Sequence, residues 1–286
     1  MAYRNFMPGD MFYRLFGFFL NGLARLAPKQ AGKLAFYLFC RPKRRGINGE
    51  ERAFLKAGSF KKMDVNGQVI HLYGWGSGPK KVLFLHGWQS NSARWQPYVD
   101  ALEGSGFRVL AYDAPGHGLS GGNRFTIPEN AELIQRITNA VGGVDAVVGH
   151  SLGGYSYLYA RSIHALPAVK RLVILASPVT IGALVEVFSK ALGLYPKTVA
   201  CMMEEMEVRT PGGLQLFGLS KLAGTLCLPG LIIHDQQDER IPFCHAEQLA
   251  AVYPEAKLIA TRGLGHRLRS DEVVQLVVGF VNGRCE

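Results

Sequence analysis

Ser151 stands in Gly149-His150-Ser151-Leu152-Gly153, a Gly-x-Ser-x-Gly pattern in which a serine can serve as a nucleophile. A valine-rich run at residues 144–148, interrupted by Asp145, leads into it, and a helix-like segment at residues 152–164 leads away. A serine on such a strand-to-helix bend has its hydroxyl lifted clear of the sheet. Glycines two positions before and after it relieve crowding, because a Cβ there would clash. The following helix start presents free backbone N–H groups where an oxyanion would form.

A serine hydroxyl is a poor nucleophile until a base takes its proton and an acid orients that base. Enzymes built on open parallel sheets place their chemistry in loops at the carboxyl ends of strands, which ranks the eight histidines. His266, in Gly263-Leu264-Gly265-His266, follows the last expected strand on a glycine-rich loop. His245 falls inside an expected helix, His71 and His164 fall away from those loops, and His150 points elsewhere from the bend. His234 ends a strand and is the nearest rival. For the acid, Asp235, Asp238 and Glu239 all follow the strand at residues 230–234. Asp238 is preferred because Pro242 halts its loop before the next helix, whereas Asp235 sits close enough to the strand to serve a turn. Two donors must face the oxyanion, and the backbone N–H groups of Leu152 and Trp88 are the expected pair.

These residues require a scaffold of alternating strands and helices. Residues 60–65 and 69–75 read as a hairpin around Asn66-Gly67, the pair favoured in type I′ turns. Residues 82–85 form an apolar strand of the buried parallel kind. Helices at 93–103 and 128–141 alternate with strands at 108–112 and 169–175, which predicts a parallel sheet covered on both faces. The rhythm fails between Ser177 and Leu226, where two helices (180–192 and 197–208) and a loop rich in Gly and Leu replace it. It resumes with elements at 230–234, 243–252, 257–260 and 271–281.

Taken in order, His86-Gly87-Trp88, Asp113-Ala114-Pro115-Gly116-His117-Gly118-Leu119-Ser120 and the Gly149–Gly153 elbow resemble the α/β-hydrolase family, with Asp238 and His266 at its acid and base positions. The resemblance covers roughly residues 60–286. It implies a mostly parallel eight-stranded sheet, with residues 177–226 as a small helical cap inserted after the sixth strand. Family members with an aspartate at the elbow open carbon–halogen bonds or epoxides, whereas Ser151 points to acyl transfer. The expected activity is cofactor-free, metal-free cleavage of carboxylic esters bearing small to medium apolar acyl groups. Phe188, Met202, Met203 and Met206 are the leading wall residues, with Leu184, Leu192, Tyr195, Leu216 and Phe217 as further candidates. Thioesterase, carbon–carbon hydrolase and acyltransferase chemistry are rivals on the same fold, and a non-catalytic binding protein is the rival of another class.

The formal charge of +10 belongs entirely to residues 1–62, which hold thirteen basic and three acidic residues; the remainder balances at nineteen of each. Residues 1–59 therefore read as a basic, amphipathic, helical segment ahead of the catalytic body. Phe12, Leu15, Phe16, Phe19, Leu23 and Leu26 recur at helical spacing, while Arg14, Asn21 and Arg25 fall on the other side. Pro8-Gly9-Asp10 marks the expected start, and Pro28 and Glu50 open two further helices. The apolar stripe is expected to pack on the body with the basic side in water; peripheral membrane contact through residues 1–45 is the alternative. No nucleic-acid module accompanies the charge, so nucleic acid is not an expected partner. Five scattered cysteines (Cys40, Cys201, Cys227, Cys244, Cys285) lack metal or redox spacing and suit a reducing, cytoplasmic setting. Residues 11–26 are broken by Arg14, Asn21 and Arg25, which disfavours a signal peptide or a membrane span.

Overall fold

The computed structural model describes residues 10–224 and 226–284, so the expected helix start at Pro8-Gly9 and Cys285 lie outside it. Eight strands occur among these residues: β1 (Ser59–Val65), β2 (Gln68–Trp75), β3 (Lys80–Leu85), β4 (Phe107–Tyr112), β5 (Ala146–His150), β6 (Arg171–Leu175), β7 (Gly230–Asp235) and β8 (Ala256–Thr261). They form one sheet in the order β1-β2-β4-β3-β5-β6-β7-β8. Pairing is antiparallel at β1–β2 and β2–β4 and parallel elsewhere. Asn66 and Gly67 both take positive φ (54° and 75°), as a type I′ turn requires.

The central strands are buried on both faces, and alternate side chains enter different cores. Leu83, Leu85, Val147 and Ile174 join one cluster with α5 (Ile127–Ala140), α6 (Leu152–Ile163) and α10 (Cys244–Val252). Val82, Phe84, Val148 and Val173 join the other, with α4 (Gln96–Leu102) and α11 (Asp271–Val281). This two-residue period carries a helix layer on each side of the sheet. The helix expected at 93–103 is split into a 3₁₀ turn (Ser92–Trp95) followed by α4. The Asn91 side chain accepts from Ala93 N–H and fixes the turn, and Pro97 lies in the first turn of α4.

Between β6 and β7 lie α7 (Ile181–Leu192), α8 (Pro196–Arg209) and a short α9 (Leu219–Ala223), which replaces part of the expected loop. Tyr155 of α6 donates its hydroxyl proton to Phe217 O (3.0 Å), and Tyr159 stacks on the Phe217 ring, holding this segment to the elbow helix.

The N-terminal helices α1 (Asp10–Leu26) and α2 (Pro28–Phe39) pack on α7 and α8, while α3 (Gly49–Ala57) opens with a capping box between Asn48 and Glu51. The orientation of α1 corrects the sequence expectation in part: Phe16 and Leu23 of the expected stripe are half-buried against the body, and the rest of it that is described is not. Its buried residues are Gly17, Leu20, Asn21 and Ala24, whereas Leu15, Phe19 and Leu26 are exposed, together with Met11 and Phe18. The side chain of Phe12 lies outside those described. Two contacts account for the rotation. A Cβ on Gly17 would lie 1.8 Å from Leu192 O, so only glycine permits this backbone approach. Buried Asn21 donates to Gly193 O (2.9 Å) and accepts from Tyr195 N–H and Thr198 Oγ1–H (both 2.8 Å). The residue that polarity places outside is thereby held inside, where it satisfies the backbone at the α7–α8 connection.

Candidate active site

The elbow is built from crowding. Ser151 adopts φ 53°, ψ −123°, a conformation that costs on the order of 1–3 kcal/mol for a residue with a side chain. Its N–H is held by Leu175 O at 2.8 Å, while α6 begins at the next residue. A Cβ on Gly149 would lie 2.4 Å from Gly154 Cα, and one on Gly153 would lie 2.2 Å from Leu85 O. Both glycines of the motif are therefore required by packing.

Three distant loops meet at this serine. His266 Nε2 lies 3.0 Å from Ser151 Oγ, and His266 Nδ1 lies 2.7 Å from Asp238 Oδ2. With the proton on Nδ1, His266 donates to the carboxylate and its Nε2 accepts from the serine hydroxyl. Asp238 is itself held: its Oδ1 accepts from Arg240 and Ile241 N–H (2.8 and 3.0 Å). His234, the rival histidine, lies with Nε2 3.2 Å from Asp238 Oδ2 and 2.8 Å from Ile241 O, so it braces the acid. Asp235 accepts from Thr261 Oγ1–H, Leu264 N–H and Gln237 N–H, which ties the β7 and β8 loops together away from the serine.

The electrostatics suit proton transfer. Burial lowers the pKa of His266 below the ordinary imidazole value, and the Asp238 carboxylate offsets only part of this. Burial alone would raise Asp238, but hydrogen bonds from His234 and His266, the His266 charge and the Ile241 N–H together hold it well below the usual carboxylate range. The resting pair is a neutral imidazole beside an ionised carboxylate.

His150, which sequence position alone points away from the site, braces the loop that carries His266. Its Nε2–H donates to His266 O (2.8 Å), and its Nδ1 accepts from Arg94 Nη1 (2.5 Å). Arg94 also donates to Arg267 O at 3.3 Å. Burial, and then the Arg94 charge, hold the His150 pKa well below the ordinary imidazole value, which keeps the ring neutral, and its two partners fix which nitrogen carries the proton. The sequence signal was its position beside the serine; its partners come from residues 94 and 266.

The loop after β3 runs against the elbow, since a Cβ on Gly87 would lie 2.9 Å from Ser151 Cβ. His86 fixes it by donating from Nδ1 to Gly87 O (2.8 Å) and accepting from Ala114 N–H (3.0 Å). Asp113, fully buried, accepts from Ser92 N–H, Leu119 N–H and the Tyr73 hydroxyl. Gln89 takes φ 52°, turning the chain just after Trp88.

Above Ser151 opens a cavity of about 1150 Å³, lined by Trp88, Ser151, Leu152 and His266 at its base. Of the expected wall residues, Phe188, Met206, Leu184, Leu216 and Phe217 line it. Met202 and Met203 do not, and neither do Leu192 and Tyr195. The buried side of α8 includes Thr198, Cys201, Met202 and Met206, and only its C-terminal end, at Met206 and Thr210, reaches the cavity. Met202 is wholly buried in the core, with Met203 packed beside it. The unforeseen wall is α2: Phe36, Leu38 and Phe39 face the cavity, with Phe125 and Ile127 from the α5 loop. His164, placed away from the site on sequence, also lines it. Arg44 reaches the same rim and donates to His117 O, Gly118 O, Ser120 O and Gly122 O, joining the N-terminal segment to the loop after β4. Among the described residues no group of three His, Cys, Asp or Glu side chains is arranged to hold a metal ion.

Residues 82–276 match the sequence model of the alpha/beta hydrolase family. The chain belongs to this family. A monoacylglycerol lipase of Mycolicibacterium smegmatis is 25% identical over 240 residues, covering 70% of this hydrolase and 85% of the lipase. A pimeloyl-[acyl-carrier protein] methyl ester esterase of Vibrio atlanticus is 34% identical over 131 residues, 46% of this chain and 48% of the esterase. The match to that esterase thus spans about half its length, and the acetyltransferase component of an acetoin cleaving system of Cupriavidus necator is matched over 28% of its length. Among solved structures, an esterase of Exiguobacterium antarcticum superposes with a TM-score of 0.59 at 21% identity, over 78% of this chain and 99% of that one. The chain thus shares the family and the fold of these proteins. No helix among its described residues is long and apolar enough to cross a membrane.

Proposed function

We propose that this hydrolase cleaves carboxylic esters of medium-length apolar acyl groups through an acyl-enzyme. The observation that carries the reading is the hydrogen-bonded series Ser151–His266–Asp238 at the base of a cavity that combines apolar walls, among them Phe36, Phe188 and Met206, with basic residues such as Arg44 and Arg267. Ser151 Oγ attacks the ester carbonyl as its proton passes to His266 Nε2. Asp238 stabilises the imidazolium that forms. The oxyanion is held by the N–H groups of Leu152 and Trp88, a role supported by the approach of the Gly87 loop to Ser151. Collapse expels the alkoxide, which takes the proton from His266. Water then enters, gives a proton to His266 and attacks the acyl carbonyl; the carboxylic acid leaves as the proton returns to Ser151.

In this reading α7–α9 act as the cap, and α2 completes the roof. Each buried methylene of the acyl chain contributes about 0.8 kcal/mol, so kcat/KM rises with chain length until the roof is met. The size of the cavity moves the optimum from short toward medium chains. A series of p-nitrophenyl esters from acetate to palmitate tests this, with Met206→Trp and Phe188→Trp expected to shift the peak to shorter chains. A peak at palmitate, or one that neither variant moves, rejects the cavity as the acyl site.

Thioester cleavage is the second reading. Arg267 and Arg269, exposed at the rim beside His266, favour a leaving group that carries phosphate. A short-chain acyl thioester with a phosphorylated carrier would then outperform the same acyl group on a neutral thiol. Equal rates would return the reading to simple esters.

A further inference from the structure

The outward face of α1 is apolar and takes no part in the site. Met11, Leu15, Phe18, Phe19 and Leu26 are all exposed, Phe18 by 75% and Leu26 by 89%. At 100° per residue they project, with exposed Gly22, into an arc of about 100°. Arg14 and Arg25 run along one edge of that arc, and Lys29 and Lys33 of α2 are exposed on the helix that follows. Soluble monomers rarely expose a contiguous apolar patch of this kind without a partner.

The face cannot turn inward. Gly17 and Asn21 lock the opposite side of α1 onto α7 and the α7–α8 connection, and Gly32 repeats the device on α2, where a Cβ would lie 2.3 Å from Cys201 O. Gly17, Leu20, Asn21 and Ala24 face the body, and Met11, Leu15, Phe18, Phe19 and Leu26 face out.

Charge selects the occupant. Residues 11–49 carry eight Lys/Arg and no Asp or Glu. Arg44 and Arg45 are engaged within the fold, by backbone carbonyls and by Glu51. Arg14, Arg25, Lys29 and Lys33 make no ion pair among the described residues. An apolar arc edged by exposed cations, on a helix of 17 residues that is not long and apolar enough to cross a bilayer, has the design of a helix lying in an anionic membrane interface. We propose that the outer face of α1, comprising Met11, Leu15, Phe18, Phe19 and Leu26 with Arg14 and Arg25, docks this hydrolase onto the surface of an anionic lipid bilayer. Because α2 packs on α1 and also lines the cavity through Phe36 and Phe39, docking brings one wall of that cavity to the lipid surface. The proposal does not depend on which ester is cleaved.

The test is cosedimentation of the full chain with vesicles of phosphatidylcholine alone and of phosphatidylcholine containing about one third phosphatidylglycerol. The protein is expected to sediment with the anionic vesicles, less with the neutral ones, and to be released by high salt. Leu15→Asp/Phe18→Asp should lower binding at least tenfold while leaving the melting temperature and p-nitrophenyl butyrate hydrolysis unchanged. Arg14→Gln/Arg25→Gln should remove most of the preference for anionic lipid. In Phe18→Trp, which removes no apolar surface, brominated lipid should quench fluorescence beyond the quenching seen in the parent. Wild-type protein remaining in the supernatant would overturn the proposal, as would a Leu15→Asp/Phe18→Asp variant that sediments as before. A concentration-dependent dimer that this variant converts to monomer, without vesicle binding, would assign the face to a second copy of the chain.

Discussion

At the scale of single residues, Ser151, His266 and Asp238 are expected to act as a unit. Ser151→Ala and His266→Ala should each lower kcat by about 10⁴-fold or more, and the double variant should fall little further. Asp238→Asn should cost about 10⁴-fold because the imidazole tautomer is lost. Asp235→Asn should lower the melting temperature more than kcat, since its carboxylate serves Thr261 and Leu264. A lethal Asp235→Asn beside a mild Asp238→Asn would reverse the assignment of the acid. His150 touches the backbone of His266 and is expected to act as a positioning residue, with a different signature. His150→Ala removes the donor to His266 O and should lower kcat about 10–100-fold with KM little changed, by analogy with other outer partners of catalytic groups. His150→Gln, which keeps a donor, should recover part of the loss; equal loss in both would make the role one of packing. Acid tests the same group from another side. His266 must be neutral to accept the serine proton, and burial holds its pKa below the ordinary value of about 6.5. The acidic limb of kcat/KM should therefore have its midpoint below that value. A midpoint at or above it would mean that the Asp238 charge outweighs burial.

At the scale of elements, the elbow was legible because its causes are local: two crowded glycines, a β-branched strand and a helix start adjoin one another in the chain. The hairpin was legible for the same reason, from Asn66-Gly67. The rotation of α1 was not, because it is set by groups about 170 residues away, the carbonyls of Leu192 and Gly193 among them. Periodicity put one apolar side of the helix on the body, where Phe16 and Leu23 do pack, but Leu15, Phe19 and Leu26 of the same stripe face outward. The same limit explains the cavity wall. Met202 and Met203 neighbour Met206 in sequence, but only the end of α8 reaches the cavity, and Phe36 and Phe39 gave no sign that α2 would close it. The contact at Gly17 yields a prediction. Gly17→Ala should destabilise the protein by about 1–3 kcal/mol, as overpacking does in a close-packed interior, whereas exposed Gly22→Ala should be neutral or stabilising. Denaturant melts of the two variants compare them directly; equal stability would mean that α1 is loosely held.

At the scale of the whole molecule, the cost of building this site is a set of buried neutral histidines. Burial pushes His86 down to about 4 and His117 down to about 3, and it lowers His150 and His266 as well. Each is neutral in the folded protein at pH values where an unfolded imidazole binds a proton. Acid therefore favours the unfolded chain. Stability should begin to fall near pH 6.5 and keep falling toward the folded-state values, at up to about 1.4 kcal/mol per pH unit for each group. Melting temperatures from pH 8 to pH 5 read this out; a flat profile across that range would contradict the buried neutral state. Activity and stability should thus decline together on the acid side, for related reasons.

The central claim is that Ser151 is an activated nucleophile, and covalent labelling tests it most directly. A fluorophosphonate probe should modify the native protein once, on the peptide containing Ser151, as read by mass spectrometry. Labelling should be abolished in Ser151→Ala and slowed by about 100-fold or more in His266→Ala, because the base that activates the hydroxyl is gone. A native protein that stays unlabelled, or labels at another residue, would contradict the account. So would a His266→Ala variant that labels at the native rate.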